Sequence, residues 1–282
     1  MTYRESYEKG KRALAEAGVA ESELDARLLL EYVCGTDRND LLVHGDREVA
    51  FEQEQTYLGL IEGRSRRIPL QQLTGVQDFM GLEFEVNEHV LIPRQDTEIL
   101  VEEVLRELHD GMSILDMCTG SGCILISLLK YSNDCIGVGA DISGEALAVA
   151  KKNAEKLLDS EKQVEFVQSD LFEAVSGKYD VIVSNPPYIP SKVIDTLMPE
   201  VREHEPLHAL DGSEDGLLFY RRIAGGCKEF LKPGGMLFFE IGYDQAASVS
   251  EIMAAEGFGE LRVKKDYAGL DRVVFGTLLR KE

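Results

Sequence analysis

The residues best equipped for chemistry are Asn185, Pro186, Pro187 and Tyr188, which follow the apolar run 179-YDVIVS-184. Two consecutive prolines fix two φ angles and remove two N–H donors. The Pro186 carbonyl and the Asn185 side chain then stand as preset acceptors, and Tyr188 adds a flat apolar face. Such a corner suits a planar NH2 group, whose two hydrogens need two acceptors. The same four residues could equally make a rigid loop with a structural tyrosine.

Three other strand ends carry polar residues at matching places. In 116-DMCTGSG-122, Gly120 and Gly122 open a strand-to-helix turn and let the backbone approach a ligand closely. The spacing resembles a dinucleotide fingerprint, but Cys118 and Cys123 occupy the flanking glycine positions. Asp141 follows at about the twenty-residue offset where an acid can take the two hydroxyls of a ribose. It could also cap the next helix, a role open to Ser143 as well. In 169-SDLF-172, Asp170 can accept from the exocyclic amine of adenine or serve as a loop carboxylate. Together the three point to an adenosine-containing ligand.

Alternating helices and strands must position these residues. From about residue 96 the pattern predicts helix 97–109, strand 113–118, helix 122–131, strand 135–141, helix 144–158, strand 163–170 and strand 179–185. After a long loop come helix 216–231, strand 235–242, helix 244–257 and two late strands, 260–269 and 272–279. Near-continuous apolar strands alternating with helices imply a parallel sheet covered on both faces, with ligands at the carboxyl ends of the strands. The last two strands, joined by a short Gly-Leu-Asp turn, should be antiparallel. Residues 1 to about 70 read as a small helical bundle, with Ser22 as an N-cap and Gly18 and Gly35 as stops. The run 79-FMGLEFEVNEHVLIPR-94 alternates at Leu82, Phe84 and Val86 around Gly81, which predicts a hairpin bridging the two regions.

Composition narrows the function classes. The 282 residues, 44% hydrophobic and 29% charged, are those of a globular protein with ample core. No apolar run is long enough to span a bilayer, and the N-terminus lacks a signal-peptide stretch, so the expected compartment is the cytoplasm. The five cysteines form no CxxC pair, and no histidine sits at ligand spacing from them. Reduced thiols and no metal are expected. A net charge of −21, from 51 acidic and 30 basic residues, repels a nucleic-acid backbone. The one dense basic cluster, Arg64, Arg66 and Arg67, reads as a solvated helix end.

With Asp116, Gly120, Gly122, Asp141, Asp170 and the NPPY corner, the chain resembles a class I S-adenosylmethionine-dependent methyltransferase of the amino-methylating branch. NPPY is shared among enzymes acting on DNA adenine, RNA and protein glutamine. The segments 69-PLQQLTG-75, 79-FMGLEFEVNEHVLIPRQDTE-98, 185-NPPYIP-190, 200-EVREHEPLHALDGSEDGLLFYRRI-223 and 267-YAGLDRVVFG-276 resemble the HemK/PrmC family over nearly the whole chain. Those enzymes methylate the side-chain amide nitrogen (N5) of the glutamine in the Gly-Gly-Gln loop of peptide chain release factors.

The resemblance implies an α/β fold. A class I, Rossmann-like, seven-stranded and mostly parallel sheet would end in an antiparallel hairpin, joined by a β-hairpin to a small all-α N-terminal domain. The implied boundaries are a helical substrate-binding domain at 1–73, a hairpin linker at 74–93 and the methyltransferase domain at 94–282. It also implies S-adenosylmethionine as cofactor, S-adenosylhomocysteine as product, and release factors as partners of a monomer that binds neither DNA nor membrane. The loop Cys118, Thr119, Gly120, Ser121 and Gly122 would hold the methionine end, Asp141 the ribose, and Asp170 and Leu171 the adenine, with Asp116 and Ile142 also counted among the cofactor-binding residues. Asn185 would border the cofactor, and Asn185, Pro186, Pro187 and Tyr188 would grip the glutamine amide as catalytic and substrate-binding residues. Two positions depart from the family: Cys118 stands where glycine is usual, and Leu171 where tryptophan is frequent.

An amide nitrogen is a poor nucleophile, so catalysis should come from alignment and from acceptors facing the charge that develops on it, with no tuned general base. The alternatives are a ribosomal-protein glutamine, a nucleic-acid exocyclic amine flipped into the pocket, and a binding module that has lost catalysis.

Overall fold

A capping box starts the chain. The Thr2 hydroxyl accepts from Glu5 N at 3.2 Å while the Glu5 carboxylate accepts from Thr2 N at 2.8 Å. Helix α1 (Tyr3–Glu16) follows and ends before Gly18, whose φ of +73° reverses the chain. Helix α2 (Ser22–Cys34) stops at Gly35 in the left-handed region, as the glycine predicted. Ser22 is the first helical residue rather than its cap; Glu21 holds the cap position and makes no side-chain capping bond. Helices α3 (Arg38–Val43), α4 (Phe51–Ser65) and α5 (Leu70–Thr74) complete the bundle around Leu14, Leu29, Tyr57 and Ile61.

The computed structural model describes residues 1–279 and divides them into two compact units, one of which joins Met1–Val76 with the short segment Met198–His204. The arginine cluster explains that joining and corrects the expectation of a solvated helix end. Arg64 is only 7% exposed. It donates to Asp25 Oδ2 at 2.7 Å and to Glu200 Oε1 at 2.9 Å, and Arg67 grips both Glu200 oxygens at 2.7 and 2.6 Å. Glu200 belongs to α10 (Pro199–Arg202), which follows the short helix α9 (Ser191–Ile194) in what the sequence pattern presents only as a long loop. Arg66 alone is solvent-facing, paired with Glu62.

The second unit starts at Gln77, inside the hairpin of β1 (Val76–Phe79) and β2 (Leu82–Glu85) that turns at Met80–Gly81. Then come α6 (Glu98–Glu107), β3 (Ser113–Met117), α7 (Cys123–Tyr131), β4 (Ile136–Asp141), α8 (Gly144–Leu157), β5 (Gln163–Gln168) and β6 (Tyr179–Ser184). Helix α11 (Leu218–Gly226), β7 (Leu231–Glu240), α12 (Ala246–Ala255), β8 (Phe258–Lys265) and β9 (Asp271–Leu278) finish it. Strand β7 starts four residues before the predicted strand, so α11 ends early. The β8–β9 connection is longer than Gly-Leu-Asp. It is built on Asp266, whose Oδ1 accepts from Ala268 N and Leu270 N.

The seven strands order as β5-β4-β3-β6-β7-β9-β8; β9 alone runs antiparallel to both its neighbours and the rest are parallel. Period-two alternation splits the core between the two faces. Ile114, Val181, Val183, Phe238 and Phe275 pack with α6 and α7, whereas Leu115, Met117, Ile182, Phe239 and Val274 pack with α11 and α12. The strand order reverses direction at β3, which places a crevice at the carboxyl ends of β3, β4 and β6.

Candidate active site

Register decides which residues meet. Met117 pairs with Ala140 on one side and with Ser184 on the other, and Asp141 pairs with Gln168. The next residues, Cys118, Asn185 and Ser169, therefore leave the sheet beside Asp141 along one edge. Backbone bonds tie the exits together: Thr119 N to Ala140 O at 3.0 Å and Ser169 N to Asp141 O at 2.8 Å. The buried Ser184 hydroxyl donates to Met117 O at 2.6 Å and pins the end of β6 to that of β3.

Above these ends lies a cavity of about 190 Å3. Of the residues proposed from sequence, Cys118, Gly120, Asp141, Ile142, Asp170, Leu171, Asn185 and Pro187 line it. Asp116, Thr119, Ser121, Gly122, Pro186 and Tyr188 do not.

Asp116 is fully buried beneath the loop, where its Oδ2 accepts the Thr119 hydroxyl at 2.6 Å and its Oδ1 has no hydrogen-bond partner among the described residues. Burial pushes its carboxyl up to about 7, against the opposing hydrogen bond from Thr119. Gly122, at φ +79°, is so closely flanked by α7 and α8 that a Cβ would lie 2.9 Å from Ile126 Cδ1 and 3.2 Å from Ala150 Cβ. Tyr188 packs its ring against the core cluster of Tyr220 and Phe239, away from the cavity. Its backbone is held from behind: Gln245 Nε2 donates to Tyr188 O at 3.0 Å, and Gly212 passes where a Cβ would stand 2.8 Å from Tyr188 C.

Asp141 does not cap α8. Its Oδ2 accepts from Gly120 N and its Oδ1 from Ser143 N, each at 2.9 Å, while the Ser143 hydroxyl caps the helix through Ala146 N at 3.1 Å. Cys118 and Leu171, the two departures from the family pattern, have φ of +63° and +51°. Both loops thus turn through the left-handed region with a side chain attached.

The lining also includes residues to which the sequence reading gave no role: His89, Val90 and Leu91 after the hairpin, and His208, Ala209, Phe219 and Arg222 from the segment beyond α10. Arg222 Nη2 lies 2.9 Å from Asp170 Oδ1. These residues fall in stretches that carried the family resemblance, which was the one signal available for them; their separation along the chain hid the convergence.

The donor set fits S-adenosylmethionine. Asp141 and Asp170 line a cavity that is apolar at Leu171, Ala146 and Ala140, and among the described residues no atom lies within 4 Å of a Cβ placed on Gly120, so the space over that backbone is open. Acids facing a cavity whose one arginine is already paired favour a cationic ligand over a phosphate. Among the described residues no group of His, Cys, Asp and Glu gathers as a metal site, and no helix is long and apolar enough to cross a membrane.

Comparison with known proteins agrees with this geometry. Residues 5–75 match the family described as PrmC N-terminal domain, and residues 94–200 match the methyltransferase small domain. A crystal structure of a methyltransferase from Pyrococcus furiosus aligns with a TM-score of 0.54 at 16% identity, covering 78% of this chain and 99% of that one, a likeness of fold. The release factor glutamine methyltransferase of Caulobacter vibrioides is 42% identical over 280 residues, 98% of this chain and 96% of that protein. The protein of the same name from Clostridium acetobutylicum is 44% identical over 258 residues, 90% of each. At that identity over that length, the chain belongs to the release factor glutamine methyltransferase family.

Proposed function

We propose that this protein-glutamine N5-methyltransferase uses S-adenosylmethionine to methylate the glutamine of the Gly-Gly-Gln loop of a peptide chain release factor. The observation that carries the reading is the placement of Asn185 and Pro187, from the NPPY corner, on the same cavity as Asp141, Asp170 and Gly120. Asp141 would take the ribose hydroxyls, Asp170 and Leu171 the adenine, and the loop from Cys118 to Gly122, with Asp116 beneath it, the methionine end. When bound, the cofactor supplies an electrophilic sulfonium methyl.

The chain's own residues do the rest. The Asn185 side chain and the Pro186 carbonyl accept the two hydrogens of the substrate amide and hold its nitrogen in line with the methyl, an alignment worth up to about 7–11 kcal/mol. The same acceptors face the positive charge that grows on nitrogen. The proton leaves after transfer, so no base with a tuned pKa is required. Residues 1–73 serve as the substrate-binding domain, 74–93 as the hairpin linker and 94–282 as the catalytic domain of a cytoplasmic monomer.

The test is mass spectrometry of a purified release factor incubated with the protein and S-adenosylmethionine. One added methyl on the Gly-Gly-Gln glutamine is expected, and Asn185→Ala should abolish it while cofactor binding persists. Methyl transfer to a ribosomal-protein glutamine or an RNA amine instead would overturn the substrate assignment.

A further inference from the structure

The NPPY corner has to be held without donors of its own at its centre. Prolines 186 and 187 have no N–H, so backbone bonds can fix the corner only through carbonyls and through the residues on either side. On the near side, the Ser184 hydroxyl donates to Met117 O at 2.6 Å. On the far side, the carbonyl of Tyr188 is gripped by a side chain from another element.

That side chain is Gln245, which immediately precedes α12 and is 8% exposed. Its Nε2 donates to Tyr188 O at 3.0 Å and to Gly216 O at 3.3 Å. Its Oε1 accepts from Gly242 N at 2.9 Å and from the Tyr220 hydroxyl at 3.3 Å. Three of these partners are backbone groups of fixed polarity, since a carbonyl only accepts and an N–H only donates. The amide therefore has one satisfied orientation, with its NH2 toward the corner. Gln245 makes no side-chain capping bond to α12, so the amide serves the corner and not its own helix. The space around the gripped carbonyl is filled as well: Gly216, at φ +73°, would place a Cβ 2.4 Å from Tyr188 O. The next residue is tied down in turn, with Ile189 N donating to Leu210 O at 3.1 Å and Gly212 N to Ile189 O at 2.8 Å.

Two pins and a stiff link between them set where the link points. With φ fixed at both prolines, few torsions remain to absorb a shift of the Tyr188 peptide, so the shift passes back to the Pro186 carbonyl and Asn185. We propose that Gln245 is a positioning residue that, through Tyr188 O, holds the Asn185 side chain and the Pro186 carbonyl in line for methyl transfer. This deepens the proposed function and rests on it for the identity of the acceptor. Gln245 is not among the residues lining the cavity, so cofactor affinity should not depend on it.

Three substitutions separate a positioning role from a packing one. Gln245→Met keeps the length and removes the bonds, and Gln245→Asn keeps the amide but withdraws it by one methylene. Gly216→Ala leaves Gln245 in place and pushes the same carbonyl from another side. Each is assayed for kcat and KM on release factor and for S-adenosylmethionine affinity. Tyr188-Ile189 is the one Tyr-Ile pair in the sequence. Protein labelled with 13C at tyrosine carbonyls and 15N at isoleucine therefore reports the Tyr188 carbonyl as a single resonance. Gln245→Met should lower kcat about tenfold or more, hold cofactor affinity within about twofold of wild type and move that resonance. Gln245→Asn should lose less, and Gly216→Ala should lower kcat with the same split. Wild-type kcat in Gln245→Met would overturn the proposal wherever the resonance falls. So would a fall in kcat with the resonance unmoved, or a loss of cofactor affinity as large as the loss of kcat. If Gln245→Met does not fold, Gln245→Asn and Gly216→Ala decide by the same readouts. A wild type that leaves release factor unmethylated would remove the substrate assignment, while the carbonyl resonance would still judge the link between Gln245 and the corner.

Discussion

Cys118 and Leu171 share a left-handed backbone but not a surrounding, and the two effects can be weighed. The strain of a side chain at positive φ is worth about 1 kcal/mol. Cys118 is half-buried, so losing its thiol removes little packing. Leu171 is 6% exposed, and a buried leucine is worth more than the strain. Cys118→Gly should therefore raise the unfolding free energy by about 0.5 kcal/mol and Leu171→Gly should lower it by about 2 kcal/mol, read from urea denaturation.

Glu240 makes a second residue-scale prediction. Burial lifts its carboxyl from 4.5 to about 7, with Thr97, Arg272 and Arg94 opposing and Asp96 adding to the rise. A folded-state pKa above the unfolded one means that its contribution is fully present below 4.5 and is lost as pH climbs through about 7. Asp116 acts in the same direction. Glu240→Gln should therefore gain on the wild type as pH rises from about 5 to about 8, by at most roughly 3 kcal/mol at about 1.36 kcal/mol per tenfold change in acidity. Parallel stability curves for the two proteins over that range would contradict it.

At the scale of elements, the site depends on parts being held in step. The edge of the cavity exists because the ends of β3, β4 and β6 fall level in the sheet register. Asn153 on α8 then clips two other parts to that frame. It is fully buried, accepts from Glu85 N at 2.7 Å, and donates to Glu85 O and Ser121 O at 3.0 Å each. One side chain thus serves the hairpin and the glycine-containing loop. Asn153→Leu keeps the volume and strands three backbone groups. It should cost about 3 kcal/mol in thermal or urea unfolding and weaken cofactor binding through the loosened loop. A cost below about 1 kcal/mol would mean that water replaces the clip.

For the whole molecule, the governing quantity is the net charge of −21. The basic cluster in the sequence does not offset it as an exposed patch, since Arg64 and Arg67 are spent on Asp25 and Glu200. Those pairs hold the Glu200 carboxyl down at about 2 despite its burial. An acidic protein should be steered toward a basic substrate loop by long-range attraction, which a Debye length of about 10 Å at 0.1 M salt cuts off. The association rate with release factor, measured by stopped flow, should fall at least several-fold between about 0.05 and about 0.5 M salt. Equal rates at both ends would rule steering out.

Much of this was determined by sequence alone. Apolar strands alternating with helices imply a parallel sheet, because only burial on both faces tolerates such runs. Prolines 186 and 187 and the glycines at 18, 35, 81, 120 and 122 act locally, through their own φ angles, so their turns are readable without the fold. That Asp141 and Asp170 line the cavity was legible because strand ends in this architecture border the crevice. Only the tertiary structure decided what depends on distant partners. Arg64 reads as solvated until Asp25 and Glu200 reach it. Tyr188 reads as a pocket wall until the core claims its ring. Arg222 and Asn153 carry no local signature, since a side chain's role there is set by which groups the sheet order and register bring against it.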